Sequence, residues 1–577
     1  MKVKLARSAG FCMGVRRAME MVLAEANRHE GVLYTYGPLI HNNQVIDLLK
    51  SKDVVEINDI EGLKNGTVLI RAHGIPPEER NMLKASGMKI IDATCPRVAK
   101  VQAIIRRHAK KGYIPVIVGD SNHAEVIGLV GYGEGKAVVI NSVDEISLIP
   151  ESENICLVAQ TTQNEKVYED ITSEITARFP DAVVFNTICE ATSERQSEVK
   201  DIAPNVDCMV VVGGYHSGNT KRLAQVSEET GTPAFHIETE KELKKEAFEN
   251  MEFVGVTAGA STPNWMIKNV VKEIEGIKGR NEIFLERWIK KGFKFLLLSN
   301  LLVALGGFAL SYAAAFLSGM EPDIHYPLIT FFYIYAVHVI YRFLDKGAST
   351  YNDPERAGFY SRFRMFLGLS SMFAIICALS LSYNQGMKVF FVMFGLMVLG
   401  IFYSIPLVPS GVRHLSRYAK IKDIPGSKTL LEAFAWTVVI TLVPLLTVNE
   451  IEWPAVMVTF IAVLSLAFVR TAFFDLFQVQ GDLIVGVETL PITLGEKRTV
   501  TLLKWIIAAT AAVLVIAPVF GFVNTFSLLL IACFFTLSVC LTAYEKRRIY
   551  PGPFLEAVVE GNLFFAGFLG LIWHILS

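Results

Sequence analysis

The sequence predicts an α/β domain in the N-terminal half and an all-α domain of nine transmembrane helices in the C-terminal half. A chain of 577 residues exceeds what one hydrophobic core usually organises, so more than one domain is expected. Up to about residue 275, short β-branched runs such as "IPVIVGD" and "CMVVVGGYHSG" alternate with helical patterns, which indicates largely parallel sheets. Beyond Arg280, apolar runs of membrane length dominate. We therefore expect domains over residues 1–278 and 295–577, joined by a linker over residues 279–294.

The composition excludes several classes of protein. Eight cysteines are scattered without a CxxC pair, which argues against a disulfide framework. The formal net charge is -1 and no basic stripe is interleaved with aromatic residues, so nucleic acid is not an expected partner. The N-terminus, "MKVKLARSAG", lacks the apolar core of a secretion signal, and we expect the first half to stay in the cytoplasm.

Three cysteines share one local context. Cys12, Cys95 and Cys189 each come just after a predicted strand, with spacings of 83 and 94 residues, which suggests three related α/β units that face a common centre. In parallel α/β sheets, functional residues are usually located at the carboxyl ends of the strands. Thiolates brought together there are soft ligands suited to zinc or to an iron–sulfur cluster. The alternative is three buried structural cysteines.

Polar residues at other strand ends predict an anion pocket. His41, His73 and His123 follow predicted strands, and the segments "QTT", "HSGNT" and "AGAST" add further donors. Such a set, rich in donors and poor in carboxylates, suits a small polyanion such as a diphosphate. Glu125 is the one acid in this set, and a lone acid there suits proton delivery. The alternative for Glu125 is an exposed loop carboxylate.

The order of these motifs resembles a known family. The segments "GFCMGVRRA", "GPLIHN", "RAHG", "DATCPRV", "GDSNHAEVIG", "AQTTQN", "NTICEATSERQ", "HSGNTKRL" and "GVTAGASTP" resemble the LytB family of 4-hydroxy-3-methylbut-2-enyl diphosphate reductases over residues 1–275. The resemblance implies a [4Fe–4S] cluster held by Cys12, Cys95 and Cys189 at the centre of the three units. It also implies a diphosphate site, made by His41, His73, His123, Thr161, Ser217, Asn219 and Ser261.

The same resemblance implies the reaction. Glu125, helped by Thr161, would feed protons while two electrons arrive one at a time from a donor such as ferredoxin or flavodoxin. The allylic hydroxyl would leave as water, giving isopentenyl and dimethylallyl diphosphate. One departure is Gly218 after Ser217, where the family often has a second serine. A binding-only iron–sulfur sensor or a zinc protein is the alternative for this half.

The C-terminal half predicts a multi-pass protein of the cell membrane. Its nine apolar stretches lie near residues 295–317, 326–344, 363–382, 388–408, 430–447, 454–474, 502–521, 525–543 and 555–576. Lysine and arginine concentrate in alternate loops, which places these loops and the first domain on the cytoplasmic side of the lipid bilayer.

Two acidic segments lie in those basic loops and resemble the aspartate motifs of the UbiA family of intramembrane prenyltransferases. Asp475 and Asp482 match the second motif, and Asp345 matches the central aspartate of the first. Other expected motif positions hold Tyr341, Arg342, Ser349 and Gln478. The resemblance implies that Asp345, Asp475 and Asp482 bind Mg²⁺ and a prenyl diphosphate, with phosphate also held by Arg342, Arg356, Lys422 or Lys428. The alternative is a non-catalytic anchor or isoprenoid-binding module.

Overall fold

Twelve short parallel strands build the first half of the chain in the computed structural model. The structure describes residues 1–27, 32–59, 66–151, 154–281, 283–344, 350–404, 424, 426–546, 549 and 552–576. Contacts divide the chain into two units, Met1–Glu282 and Ile283–Ser577. Each unit is described by itself.

The strands of the first unit are short and mostly buried. Parallel strands that are covered on both faces have continuous runs of apolar residues. The strands with the sequences "ICLVA" and "CMVVV" follow this rule, since they are buried at every position. The bounds are β1 Lys2–Leu5, β2 Leu33–Tyr36, β3 Val54–Ile57, β4 Thr67–Ile70, β5 Lys89–Asp92, β6 Ile114–Val118, β7 Val138–Ile140, β8 Ile155–Ala159, β9 Val183–Phe185, β10 Cys208–Val212, β11 Ala234–Ile237 and β12 Phe253–Ala258.

These strands form three four-stranded sheets, in the orders β1-β12-β10-β11, β3-β2-β4-β5 and β7-β6-β8-β9. All pairings are parallel, with Leu5 opposite Val256 and Ile70 opposite Asp92, for example. The first sheet joins the N-terminal strand to the last strands of the unit. The predicted parallel α/β fold is therefore confirmed, with one of its three units completed by residues far along the chain.

Helices connect the strands and cover the sheets. Their bounds are α1 Met13–Ala26, α2 Asn43–Lys50, α3 Pro77–Ala85, α4 Pro96–Ala109, α5 Ala124–Val130, α6 Glu165–Arg178, α7 Glu190–Ile202, α8 Gly218–Glu229 and α9 Asn264–Gly276. Short 3-10 turns span Gly131–Gly133, Val143–Leu148, Ala203–Asn205, Glu240–Glu242 and Lys245–Phe248. Most of the longer helices begin directly after a strand end, so their N-termini lie where the predicted site residues lie.

The second unit is helical throughout its described residues, as predicted. Its helices are α10 Phe284–Leu298, α11 Leu301–Leu317, α12 His325–Leu344, α13 Pro354–Arg362, α14 Arg364–Gln385, α15 Met387–Ser404, α16 Ser427–Thr437, α17 Trp453–Val485, α18 Leu490–Leu494, α19 Glu496–Val519, α20 Phe526–Glu545 and α21 Pro553–Leu576. After α16 the chain continues as a π-helical turn, Val438–Leu442, and a 3-10 turn, Pro444–Thr447. The predicted linker overlaps α10, which begins the second unit.

Seven helical segments in the described part of this unit are long and apolar enough to cross a membrane. An eighth is counted if α10 and α11, bent by 73° at their junction, form one span. The helix α15 overlaps a predicted span, and its apolar part is shorter. The multi-pass character is confirmed, while the number nine stays a prediction.

Candidate functional site

The three predicted cluster cysteines occupy equivalent places in the three sheets. Each follows an edge strand, β1, β5 or β9, and each is the N-cap residue of the next helix, α1, α4 or α7. The N–H of Val15 donates to Cys12 Sγ at 3.5 Å. Because helix N-termini carry partial positive charge, they favour a thiolate over a thiol. Each of the three cysteines thus lies at the positive end of a helix dipole.

The cysteine side chains lie close enough to affect one another. A Cβ placed on Gly14 would lie 2.6 Å from Cys95 Sγ and 3.9 Å from Cys12 Sγ, so both thiols border the same glycine. Burial raises the pKa of Cys95, and the neighbouring Cys12 and Cys189 raise it further. Burial likewise raises the pKa of Cys189, with Cys12 adding to the shift. Clustered thiols of this kind are soft ligands, which a cationic iron–sulfur group would hold as thiolates.

Three histidines from inner strands meet beside the cysteines. His41, His73 and His123 follow β2, β4 and β6, and their ring centroids lie 4.6, 5.3 and 5.4 Å apart. Burial, the nearby rings and other cations hold the pKa of His73 well below its usual value. For the same main reason the pKa of His123 falls to about 4. Burial also lowers the pKa of His41, so burial favours the neutral form of all three rings.

The hydrogen bonds of the rings leave donors for such an anion. The N–H of Glu125 donates to Nδ1 of His123 at 3.1 Å, so the ring carries its proton on Nε2. Nε2 of His41 and Nδ1 of His73 are buried and have no hydrogen-bond partner among the described residues. Buried polar atoms are seldom left unpaired, which indicates a site for a polar ligand.

Glu125 is held by Thr161, the second residue after β8. The N–H of Thr161 donates to Oε1 at 2.7 Å, and its hydroxyl donates to Oε2 at 2.8 Å. The Glu125 carboxyl is 2% exposed, which excludes the alternative of an exposed loop carboxylate. Burial raises its pKa, while the bonds from Thr161 and the charge of Arg222 oppose the rise. Burial thus favours the protonated form of this carboxyl more than water would, which suits a proton donor.

The remaining predicted residues follow β10 and β12. Ser217 is the N-cap of α8 and accepts the N–H of Thr220 at 3.4 Å. Asn219 is 4% exposed, and both its amide atoms lack a partner within the described ranges. Ser261 donates to the carbonyl of His41 at 3.2 Å. A Cβ at Gly218 would meet its neighbours at ordinary distances of 3.7 Å or more, so a side chain would fit there.

One cavity gathers all of these groups. Its lining contains every predicted site residue of the first unit: Cys12, His41, His73, Cys95, His123, Glu125, Thr161, Cys189, Ser217, Asn219 and Ser261. Arg195 was not predicted from the sequence, and it also lines the cavity at 4% exposure. Its guanidinium donates at 2.7 Å to the carbonyls of Gly10 and Ala191 and so ties the Cys12 loop to α7. The only available signal was its place in the "ATSERQ" segment after Cys189.

A second cavity lies within the second unit and contains the acidic motif of α17. Asp475 is 1% exposed and accepts from Lys428 Nζ at 3.2 Å and from the Thr429 hydroxyl at 2.6 Å. Asp482, also 1% exposed, accepts from Asn352 Nδ2 at 2.7 Å. Both aspartates line the cavity with Arg342, Arg356 and Lys428. Asp345, Lys422 and Ser349 lie outside the described residues.

A group of ionisable residues that was not predicted from the sequence lies deeper in this cavity. They are His338, Glu432, Arg470 and Glu560, from four different helices. Only the presence of each residue within an apolar span could have signalled it, because such residues are costly there.

Comparison with known proteins gives different results for the two units. The model of the family described as LytB protein matches residues 3–275. The 4-hydroxy-3-methylbut-2-enyl diphosphate reductase of Geobacter sulfurreducens is 44% identical over 275 residues, which is 48% of this chain and 97% of that protein. The enzyme of the same name from Aquifex aeolicus is 43% identical over 276 residues, or 47% and 96% of the two chains.

The C-terminal half is similar to solved UbiA proteins. One is a UbiA homolog from Archaeoglobus fulgidus, solved bound to GPP and Mg²⁺. The match has 16% sequence identity and a TM-score of 0.37, and it covers 48% of this chain and 99% of that one.

Proposed function

The chain belongs to the LytB family through residues 3–275, and on that premise we propose that its first unit reduces 4-hydroxy-3-methylbut-2-enyl diphosphate to isopentenyl and dimethylallyl diphosphate. The reaction breaks the allylic C–O bond, consumes two electrons and two protons, and releases water. The observation that supports it best is the single cavity in which three thiols, three neutral histidines and the Glu125 carboxyl meet.

The diphosphate would lie against the histidine end of this cavity. His41, His73 and His123, with Asn219, Ser217 and Ser261, offer ring, amide and hydroxyl donors and no carboxylate among them. Two of the rings and the amide have buried polar atoms without a partner among the described residues, and the phosphate oxygens would satisfy them. Binding there would leave the other end of the substrate directed toward the thiols and Glu125.

Glu125 would hold the proton that accompanies loss of the hydroxyl. Thr161 fixes both carboxyl oxygens, so the proton is offered in one orientation. A [4Fe–4S] cluster bound by Cys12, Cys95 and Cys189 would supply a Lewis-acidic iron and a path for electrons from a donor such as ferredoxin or flavodoxin. Burial of the carboxyl keeps bulk water from competing for this proton.

An anaerobic assay of the full chain tests this function. The purified protein, with reduced methyl viologen as the electron source, should convert 4-hydroxy-3-methylbut-2-enyl diphosphate to both five-carbon products. Glu125→Gln should keep substrate binding and visible absorbance but lower turnover by about 10²- to 10⁴-fold. Cys95→Ser should lose absorbance and turnover together, whereas Cys208→Ser, in the buried strand β10, should lose neither. Iron-dependent absorbance without any turnover would instead support the sensor alternative.

For the second unit we propose a prenyltransferase-like role at the cytoplasmic face of the membrane. Asp345, Asp475 and Asp482 would hold Mg²⁺, and Arg342, Arg356 or Lys428 would hold phosphate oxygens directly. The support is that buried carboxylates and cations line one cavity between membrane-length helices. Both units would then handle prenyl diphosphates on one side of the bilayer.

Two measurements test this second role. Membranes that contain the full chain should transfer radiolabelled prenyl groups from geranyl diphosphate to lipid or aromatic acceptors in a Mg²⁺-dependent way. Complete absence of binding and transfer would favour the anchor alternative. Orientation can be tested with single cysteines introduced at Arg498, in the first turn of the helix Glu496–Val519, and at Asn524, five residues after its end. A membrane-impermeant thiol reagent should reach position 498 only from the cytoplasmic side.

A further inference from the structure

Two ion pairs connect α16 and α17 at different depths. Lys428 Nζ lies 3.2 Å from Asp475 Oδ1, and Arg470 Nη1 lies 3.2 Å from Glu432 Oε1. The second pair lies four residues further along α16 and five residues back along α17, so it is about 6 to 7.5 Å deeper in the helices. The outer pair belongs to the acidic motif, whereas the proposed function assigns nothing to the inner pair.

The inner pair has a second carboxylate. Arg470 Nε lies 3.1 Å from each carboxylate oxygen of Glu560 in α21, while Arg470 Nη1 donates a hydrogen bond to Glu432. One guanidinium therefore faces two carboxylates, and the group has one negative charge in excess. The side chains of Arg470 and Glu560 are each 8% exposed, so water does not screen this excess effectively.

A histidine adjoins the excess charge. His338 Nε2 in α12 lies 3.5 Å from Glu432 Oε1, and it has no hydrogen-bond partner among the described residues. Thr471 and Arg470 donate to Oε1 of Glu432, and no described residue donates to its Oε2. Both His338 and Glu432 line the cavity. A proton on either group would neutralise the cluster and could bridge the two.

Other charged groups line the same cavity on five helices. They are Arg342 from α12, Arg356 from α13, Lys428 from α16, Asp475 and Asp482 from α17, and Glu556 from α21. Arg356 pairs with Glu556 at 3.2 Å, and Lys428 pairs with Asp475. Because Arg356 and Lys428 have carboxylate partners of their own, the excess charge at Glu432 and Glu560 leaves this cluster able to take up a proton.

We propose that His338, Glu432, Arg470 and Glu560 form a proton-binding site for the second substrate of the membrane unit, a neutral molecule whose O–H or aromatic C–H is prenylated. The inference rests on the proposed prenyl transfer. A bond forms between prenyl C1 and the oxygen or carbon of the acceptor, and the C1–O bond breaks with its electron pair going to diphosphate. The proton that the acceptor loses goes to the His338–Glu432 pair.

The position of this four-residue cluster in the cavity suits it to receive the acceptor's proton. The outer end of the cavity carries the groups proposed to hold diphosphate, and the cluster lies deeper between the same helices. Arg470 also lies over Trp436 and Phe474, 4.9 and 5.0 Å from the ring centroids, so apolar surface surrounds the polar group. An acceptor with a small polar nucleophile on an apolar body matches this combination.

Infrared difference spectroscopy of the full chain in lipid vesicles tests the proton site without knowledge of the acceptor. Stepwise change of pH should reveal a titrating carboxyl C=O band that Glu432→Gln removes. Glu560→Gln should also remove it, because the remaining carboxylate then pairs with Arg470 as an ion. The control Glu545→Gln, which alters an exposed pair with Lys504, should keep the band. A band unchanged in both cluster variants overturns the proposal.

Binding and transfer measurements separate this inference from the proposed function. The Glu432→Gln variant should bind radiolabelled geranyl diphosphate as the parent protein does. It should transfer the prenyl group at least about 100-fold more slowly. Full transfer by this variant overturns the proton site and leaves the prenyltransferase role standing. If the parent protein itself does not bind geranyl diphosphate, the prenyltransferase role is wrong. The assignment of the proton site to a second substrate then fails with it.

Discussion

Thr161 holds both oxygens of the Glu125 carboxyl, with its N–H on Oε1 at 2.7 Å and its hydroxyl on Oε2 at 2.8 Å. Thr161 is the second residue after β8, and Glu125 lies in the first turn of α5, so the two are brought together by the packing of one sheet. The two bonds favour the ionised carboxyl, whereas burial favours the neutral one. The proton affinity of Glu125 is set by this opposition.

Replacement of Thr161 by valine should therefore change the pH profile of reduction. The hydroxyl bond, which lowers the pKa of Glu125, is lost, so the pKa should rise further above its usual value. If the protonated carboxyl is the active form, the alkaline limb of the profile should move to higher pH while the maximum rate falls. Thr162→Val is the matched control, because its hydroxyl contacts Gln160 instead of Glu125. An unshifted limb in Thr161→Val would show that Glu125 does not set the profile.

Gly14 provides a steric test of the cysteine cluster. Its added Cβ would lie 2.6 Å from Cys95 Sγ and 3.1 Å from Cys95 Cβ, so the thiol would have to move. Gly14→Ala should lower iron and visible absorbance per chain. The fold should survive, because alanine favours a helix over glycine by about 1 kcal/mol. The control Gly276→Ala places a Cβ in open space and should keep full absorbance. Equal iron content in both variants would contradict the position assigned to Cys95.

Diphosphate binding should depend on pH through the histidines. In the free protein, burial and neighbouring groups hold the pKa values of His73 and His123 low, the latter at about 4. A bound anion favours the charged rings and raises these pKa values, so binding takes up protons. Affinity should be highest at low pH and should fall as pH rises through the pKa values of the bound state.

Calorimetry in two buffers of different ionisation enthalpy measures this proton uptake with 4-hydroxy-3-methylbut-2-enyl diphosphate as ligand. His73→Gln should reduce the number of protons taken up. His108→Gln should not, because this ring packs against Tyr113 and Phe185 outside the cavity. Proton uptake that is the same in both variants would place the titrating group elsewhere, on the ligand or on another residue.

The sequence was enough to predict which residues of the first unit lie together. It was not enough to predict the strand order and helix packing that bring them together. Parallel strands bring their carboxyl ends to one edge, and this was enough to group Cys12, Cys95 and Cys189 with the histidines. That cysteines follow edge strands and histidines follow inner strands depends on strand order, which the pattern of apolar residues does not encode. The contact of Gly14 with Cys95 likewise arises from the packing of α1 against the start of α4.

In the second unit the sequence identified helices and acidic positions but missed their partners. Asp475 was predicted as a metal ligand, and its contact with Lys428 depends on how α16 and α17 are rotated about their axes. Arg470 and Glu432 each read as an isolated charge in an apolar span. Their pairing could not be inferred, because residues on different membrane helices leave no common spacing in the sequence.

The ion pair between Lys428 and Asp475 leads to a final prediction about stability. Asp475→Asn should lower the free energy of unfolding by about 2 kcal/mol, because Lys428 loses its counter-charge in a partly buried place. Lys428→Met should destabilise for the reverse reason. The double variant should lose less than the sum of the two, which a double-mutant cycle in detergent can measure through the fluorescence of the tryptophans.

Magnesium separates the structural role of Asp475 from its proposed role as a metal ligand. A ligand that binds only the folded state raises the unfolding temperature in proportion to the logarithm of its concentration. Mg²⁺ should therefore stabilise the parent protein, and this effect should vanish in Asp475→Asn but persist in Lys428→Met. If Mg²⁺ stabilises Asp475→Asn as much as the parent, Asp475 serves as the counter-ion of Lys428 and the metal, where present, is held by other residues.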